Sequence, residues 1–344
     1  MRTMVIGRYG PPEVFEVREC PEPTPKPGEV LVRVHAVGVG FADLMQRMGI
    51  YPGTPKPPFV PGLEVAGVVE RVSSGSPGDR PPLQVGERVA ALPKFSGYAE
   101  RVAAPADRIF RLPAGISFEE AAAIPLNYLT AYHIMFVMGN LQPGDHILVH
   151  GAAGGVGGAA VQLAKARDVK VFGTAGPAKQ EFLRRIGVDH PIDYTNEDFV
   201  DIVRRAVPDG IEMVMDPIGG ESFTRSYRCL GPMGRLVIYG FSAAAGPEGK
   251  RNLWRAAKAY VTTRRYHPLK LMADNTAIIG VHLGHLGETR GTTLANELDE
   301  LFRLYSAGKI KPVIAKTFPL EEAAAAHRYI HRRQNVGKVV LHVA

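Results

Sequence analysis

Residues 146–166 read HILVHGAAGGVGGAAVQLAKA. An apolar, strand-like run enters a glycine-rich turn and leaves it as a helix that carries Val156, Ala160, Leu163 and Ala164 on one face. Ala152, Gly154 and Gly157 fill the three positions of a dinucleotide-binding fingerprint, with alanine in place of the first glycine. Gly154 keeps side-chain atoms away from an approaching pyrophosphate, and Gly157 lets the helix pack closely on the strand. With Gly155 and Val156, the turn would offer the N–H groups and positive dipole of a helix start to the phosphates. A glycine turn alone is common; here more strand-like segments follow it. They are VKVFGTA from Val169, HPIDY from His190, IEMVMD from Ile211, RLVIYGF from Arg235 and AIIGV from Ala277. Helices fit between most of them, which predicts a parallel sheet with crossover helices.

The end of the second strand decides which dinucleotide is expected. Chains that bind NAD usually place an acid there to hold the ribose hydroxyls. This chain has Gly173, Thr174, Ala175 and Gly176, then Lys179. With no carboxylate to repel it, a 2′-phosphate is tolerated, and Lys179 near a helix start neutralises it. HPIDY should lie beside the second strand and bring Tyr194 to the same pocket. The reading favours NADPH; the alternative makes Lys179 one more solvated surface lysine.

On the amino-terminal side, residues 5–102 carry short apolar runs such as VLVRVHAVGVG, LEVAGVVERV and ERVAAL, separated by Pro and Gly. They predict a β-rich domain with few helices, with proline-rich loops at residues 21–27 and 52–61. On the carboxyl-terminal side, NELDELFRLYSAGKI from Asn296 and EEAAAAHRYIHRRQ from Glu321 read as helices, and GKVVLHV as a closing strand. At 344 residues the chain has length for two domains. An apolar content of 45% with 22% charged residues argues against a largely disordered chain. Two cysteines, Cys20 and Cys229, exclude a disulfide scaffold and any zinc site of three or four thiolates. The start MRTMVIGRYGPPEVFEV has no apolar stretch of signal-peptide length, so a cytoplasmic protein is expected. The most apolar longer window, residues 121–141, contains Pro125, Asn127, His133 and Gly139 and reads as a buried helix, not a membrane span.

Further segments carry a family resemblance. They are FADLM from Phe41, PGLEVAGVV from Pro61, FEEAAAI from Phe118, NYLTAY from Asn127, NLQPG from Asn140, MDPIGG from Met215, GPMGRLVIYG from Gly231, GVHLG from Gly280 and NVGKVVL from Asn335. With the glycine turn, VFGTA and HPIDY, they run in order over residues 36–341. The chain resembles the zinc-independent quinone oxidoreductases of the medium-chain dehydrogenase/reductase superfamily, the zeta-crystallin group, and most closely the branch that includes the synaptic-vesicle membrane protein homologues. The resemblance implies an α/β chain in which residues 1–125 and 284–344 form a GroES-like catalytic domain and residues 126–283 an NADPH-binding Rossmann domain. Cofactor and substrate would meet in the interdomain cleft, and a homodimer would form through the sheet edge near residues 278–283. By position, Thr130, Ala152, Gly154, Gly155, Val156, Gly157, Gly173, Thr174, Lys179, Tyr194, Tyr239, Gly240, Phe241 and Asn335 would line the cofactor site.

Alcohol dehydrogenases of this superfamily place a cysteine near the position of Gly38 and a histidine within a GHE motif. This chain reads Gly62-Leu63-Glu64 at the latter, and leucine cannot ligate, so no zinc is expected and Glu64 is read as a structural remnant. The family's quinone reductases usually carry Asn at the position of Gly40 and Tyr near Met45; this chain keeps Asp43 and Tyr51 but lacks that amide and that phenol. Without a metal the acceptor must take hydride readily, as a quinone or an α,β-unsaturated carbonyl does, because the resulting charge spreads onto an oxygen. Tyr51 is the candidate substrate contact or proton donor, with a plain cleft-wall aromatic as the alternative. Asp43 either orients backbone, holds Arg47 or acts as a base, and Thr130 either contacts the nicotinamide region or bonds its own helix.

His282 and His285, three apart, have no further ligand beside them, and Cys229 sits among apolar residues as packing. The basic excess of +7 concentrates in residues 246–270, where Lys250, Arg251, Arg255, Lys258, Arg264, Arg265 and Lys270 face one acid, Glu248. Leu253, Trp254, Ala257, Tyr260 and Val261 form an apolar face at helical spacing in this stretch, expected to cover the cofactor domain or, alternatively, to touch anionic lipid. No nucleic-acid motif accompanies it. The readings that remain are an NADPH-dependent quinone or enone oxidoreductase, an enoyl or 2-alkenal reductase, and a weakly catalytic, membrane-associated NADPH-binding regulator.

Overall fold

The computed structural model describes residues 1–75, 81–245 and 253–344, which fold as two units. The one holding the glycine turn comprises residues 130–245 and 253–283. Its sheet runs, in spatial order, His190–Asp193, Lys170–Ala175, His146–His150, Ile211–Asp216, Leu230–Ile238 and Ala277–Gly280. Every pairing is parallel. Chain order therefore reverses beside His146–His150, the switch point at which doubly wound sheets open a crevice. Because helices pack on both faces, the strands are apolar on both sides: Leu148, Phe172, Val214 and Leu236 are buried with Phe199, Val203 and Phe223 from the helices. Burying each such side chain contributes about 1.5–3 kcal/mol.

The other unit comprises residues 1–129 and 284–344 among those described. Its larger sheet runs Ile314–Pro319, Lys338–His342, Glu29–Val39, Val65–Val72, Arg88–Ala91 and Ile109–Arg111, with Arg101–Pro105 also paired to Glu29–Val39. All pairings are antiparallel except that of Ile314–Pro319 with Lys338–His342. Arg2–Ile6 and Phe15–Glu19 make a separate two-stranded sheet. A GroES-like β-rich domain and a Rossmann-type domain are thus both present. The last strand lies against Glu29–Val39, so the tail completes the amino-terminal domain.

Three local expectations change. The strand expected from Arg235 begins at Leu230, because Met233 takes φ +65° and lets the chain bend at GPMG without leaving the sheet. The helix expected from Asn296 begins at Gly291. Along the helix Leu253–Thr262 the described residues of the expected apolar face do not cover the unit: Trp254, Ala257, Tyr260 and Val261 are exposed, Trp254 at 86%. The helix leans on Gly220 through buried Ala259, whose Cα would lie 3.5 Å from a Cβ at Gly220, and small residues at the contact turn the large ones outward. Lys250 and Arg251 lie outside the described residues.

Candidate active site

His146–His150 ends in Gly151, at φ +66°, and the helix Gly155–Lys165 starts four residues later with Gly154 at its N-cap. Backbone bonds brace the turn: Gly154 N–H donates to Gly151 O at 2.9 Å, and Ala152 N–H to Thr174 O at 3.0 Å. A glycine N-cap supplies no side-chain acceptor, so the first-turn N–H groups are left to an outside acceptor. Gly154, Gly155 and Val156 are half-buried at this mouth. Ala152, Gly157, Gly173 and Thr174 are buried and shape the turn from behind. A Cβ on Gly173 would lie 3.0 Å from that of Ala152, so glycine in the second strand makes room for alanine in the first fingerprint position.

At the end of the second strand Lys179 closes the short turn Pro177–Lys179 and Tyr194 is 44% exposed. A Cβ on Gly176 would lie 3.8 Å from Tyr194 Oη, so the phenol and the glycine share one wall. The neighbouring acid, Asp193, is turned onto Thr195 and Asn196. Tyr239, Gly240 and Phe241 follow the fifth strand, and the Phe241 ring lies on Gly219, where a Cβ would sit 2.2 Å from the ring. Thr130, half-buried on the helix Asn127–Tyr132, belongs to the same unit. Asn335 belongs to the other and donates its amide N–H to Gly337 O at 3.1 Å.

Tyr51 and Asp43 are also in the β-rich unit. Asp43 is fully buried and accepts the Gly40 N–H at 2.7 Å, capping the helix Phe41–Arg47; Oδ1 has no partner among the described residues. Of the alternatives for Asp43, orienting backbone is what the geometry shows, while Arg47 is bonded to His331 Nε2. Burial raises the Asp43 carboxyl to about 7 and the Tyr51 phenol to about 12, and the Asp43 charge adds to the latter. Burial, then the Arg47 charge, lowers His331 to about 4.

The raised Asp43 value gives a signed pH dependence. Its contribution to stability is fully present below about pH 4, where the unfolded carboxyl is also protonated, and is lost as pH rises through about 7. Asp43→Asn keeps an acceptor for Gly40. Urea unfolding at stepped pH should show the variant gaining on the native chain by up to ~4 kcal/mol between pH 4 and 8. Parallel stability curves would contradict the assignment.

Glu64 is fully buried, bonded to Lys338 Nζ and accepting Leu126 N–H at 2.8 Å. Sequence reading missed this ion pair and also that Thr174 joins a buried set in the other unit with His150, Asp216 and Ser226. The signal for both was a charged or polar residue inside an apolar strand run, HILVH, IEMVMD or GKVVL. Cys229 is buried, and burial raises its thiol to about 12, as expected for packing. Among the described residues no group of three or more His, Cys, Asp or Glu could hold a metal, and no helix is long and apolar enough to cross a membrane.

Two family models match: an alcohol dehydrogenase GroES-like domain over residues 26–114 and a zinc-binding dehydrogenase over residues 186–341. The zinc in the second description does not fit the residues here. Gly38 and Leu63 carry no donor, and Glu64 is held by Lys338 and Leu126. The chain is 42% identical to the human synaptic vesicle membrane protein VAT-1 homolog, over 99% of this chain and 86% of that protein. It is 33% identical to a 2-haloacrylate reductase from a Burkholderia species, over 98% and 97%. A mycobacterial protein solved in complex with NADPH superposes with a TM-score of 0.86 at 31% identity, over 99% of both chains.

Proposed function

The chain belongs to the medium-chain dehydrogenase/reductase superfamily, in the branch related to the VAT-1 homologues, and from this premise we propose an NADPH-dependent oxidoreductase that delivers hydride without a metal to quinones or activated α,β-unsaturated carbonyls. The observation that carries the cofactor choice is the wall that Gly176 and Tyr194 share at the end of Lys170–Ala175, beside the turn Pro177–Lys179, where an acid would serve NADH. The fit for a dinucleotide rests on the open N-cap at Gly154 and on the helix of 11 residues behind it.

NADPH would supply a hydride from its reduced ring. The first-turn N–H groups at Gly155 and Val156 would hold the pyrophosphate, and Lys179 and Tyr194 would take the 2′-phosphate. Tyr239, Gly240, Phe241 and Thr130, all of the one unit, would bound the nicotinamide end. Tyr51, with its phenol held protonated throughout the neutral range, donates a hydrogen bond to the oxygen on which charge develops. Asp43 is then a positioning residue, since it fixes the helix start at Gly40.

Lys179→Ala tests the cofactor choice. A charge-assisted contact contributes about 1.5–3 kcal/mol, so the variant should raise KM for NADPH about 10- to 100-fold and leave KM for NADH nearly unchanged. Equal losses would remove the phosphate pocket. Following NADPH oxidation against quinones, 2-alkenals and saturated ketones separates the quinone reading from an enoyl or 2-alkenal reductase, which the likeness to a 2-haloacrylate reductase favours.

A second reading, a membrane-associated NADPH-binding regulator, is favoured by Trp254, Tyr260 and Val261 standing exposed beside Lys258, Arg264 and Arg265. Such a surface suits anionic lipid. Vesicle co-sedimentation unchanged by charge reversal at Lys258, Arg264 and Arg265 would remove it. The proposed homodimer forms at the edge strand Ala277–Gly280, which ends the six-stranded sheet. A cytoplasmic location remains part of the proposal.

A further inference from the structure

Beneath the glycine turn lies a chain of buried polar groups whose hydrogen-bond directions follow from one another, starting at Asp216. Asp216 Oδ2 accepts from Ser226 Oγ and from Ser222 Oγ, each at 2.7 Å, and Oδ1 accepts Ile218 N–H at 2.7 Å. Ser226 has then spent its proton and must accept at 3.0 Å from His150 Nε2, which therefore carries hydrogen. Burial lowers the His150 pKa against the opposing pull of Asp216, which favours the neutral imidazole. Nδ1 is consequently bare and accepts from Thr174 Oγ1 at 3.1 Å, leaving the Thr174 oxygen to accept Gly151 N–H at 3.3 Å. His150, Thr174, Ser226 and Asp216 are all at most 2% exposed, and the Phe199 ring edges onto His150 with centroids 4.7 Å apart.

The two ends of this chain are the two loops that frame the cofactor crevice. One end is Gly151, first residue of the phosphate turn. The other is the Asp216–Gly219 loop, whose Pro217 and Ile218 carbonyls accept N–H groups of Ser242 and Ala243, and on whose Gly219 the Phe241 ring rests. We propose that His150 is a positioning residue which, through Thr174 and through Ser226 and Asp216, locks the pyrophosphate turn in register with the nicotinamide-side loop, so that the two halves of the cofactor are bound as one. This rests on the dinucleotide reading above. A hydrocarbon core at these positions would support a Rossmann sheet equally well; a continuous relay of fixed polarity across three strand ends adds coupling between loops.

The test compares the whole cofactor with its adenosine half. In His150→Leu and in Ser226→Ala, Kd for NADPH should rise about tenfold, while Kd for adenosine 2′,5′-bisphosphate stays within about twofold, because the phosphate turn keeps its Thr174 contacts. His150→Gln, which retains a donor towards Ser226, should recover part of the loss. The double variant should lose no more than His150→Leu alone, as members of one relay do. Should His150→Leu fail to fold, Ser226→Ala, which deletes a single oxygen, decides alone. Equal losses for NADPH and the half-molecule, or additive losses in the double variant, would overturn the coupling and reduce these residues to core packing. The same measurements with NADH and 5′-AMP answer the question for a chain that prefers NADH. A native chain that binds neither dinucleotide overturns the cofactor reading and the coupling together.

Discussion

Gly157→Ala should destabilise the Rossmann domain by about 3 kcal/mol or more and abolish dinucleotide binding, whereas Gly154→Ala, three residues earlier, should leave the fold intact and weaken only the binding. A Cβ at Gly157 would lie 2.3 Å from Gly151 O and 2.7 Å from Ala152 Cα. Both are backbone atoms of the turn, which Gly151 N–H to Thr174 and Ala152 N–H to Thr174 O tie to the second strand, so neither can yield without opening the strand-to-helix junction. A Cβ at Gly154 would meet only Gly151 O, at 3.2 Å, and its φ of −83° and ψ of −177° suit alanine. The added methyl costs the apo fold less than about 1 kcal/mol, part of it offset by lower unfolded-state entropy. It does occupy the face that a pyrophosphate must approach, so NADPH affinity should fall at least about tenfold. Thermal melts and NADPH titrations on both variants check the contrast. If Gly157→Ala melts like the native chain, the fingerprint is a coincidence of composition.

That contrast also marks how far the sequence could be read. The strand, turn and helix around Gly154 were legible because their signals are local: apolar run, glycines at fixed offsets, helical spacing. Alternation foretold a parallel sheet, and the usual doubly wound arrangement the place of HPIDY beside the second strand, but the tail's return to the first domain came from ordered resemblance alone, since no local signal joins Lys338 to Gly40 or Glu64. The orientation of Leu253–Thr262 was not legible. Periodicity reveals that a helix has two faces, but which face docks depended on Ala259 finding a glycine at position 220. His150 was equally hidden: in a string of apolar letters, a histidine at a strand end reads as a surface residue until Thr174 and Ser226 are seen on either side.

The Glu64–Lys338 pair carries the second large effect. Lys338→Met should cost about 3–5 kcal/mol, because it leaves Glu64, at 0% exposure, as an uncompensated buried charge. Glu64→Gln should cost a similar amount by orphaning the ammonium of Lys338, which is 3% exposed. Combining them should return most of the loss: Gln still accepts the Leu126 N–H that Glu64 takes at 2.8 Å, and Met fills the volume of the lysine stem without charge. Denaturant unfolding of the two single variants and the double completes the cycle, and small additive losses would show that water reaches the pair. The pair bears on chemistry as well as stability. A Cβ at Gly38 would lie 2.6 Å from Glu64 Oε1 and 2.4 Å from Ala122 O, so the strand position nearest to where metal-dependent relatives are expected to place a thiolate has no room for a side chain while Glu64 is held there. Gly38→Cys and Leu63→His together should therefore fail to confer stoichiometric zinc binding, by elemental analysis, in a chain that keeps Lys338. The charge that the proposed reaction develops on its acceptor is left to hydrogen-bond donors such as Tyr51, and an acceptor that needs a Lewis acid, such as a saturated ketone, should turn over far more slowly than a quinone or an enone.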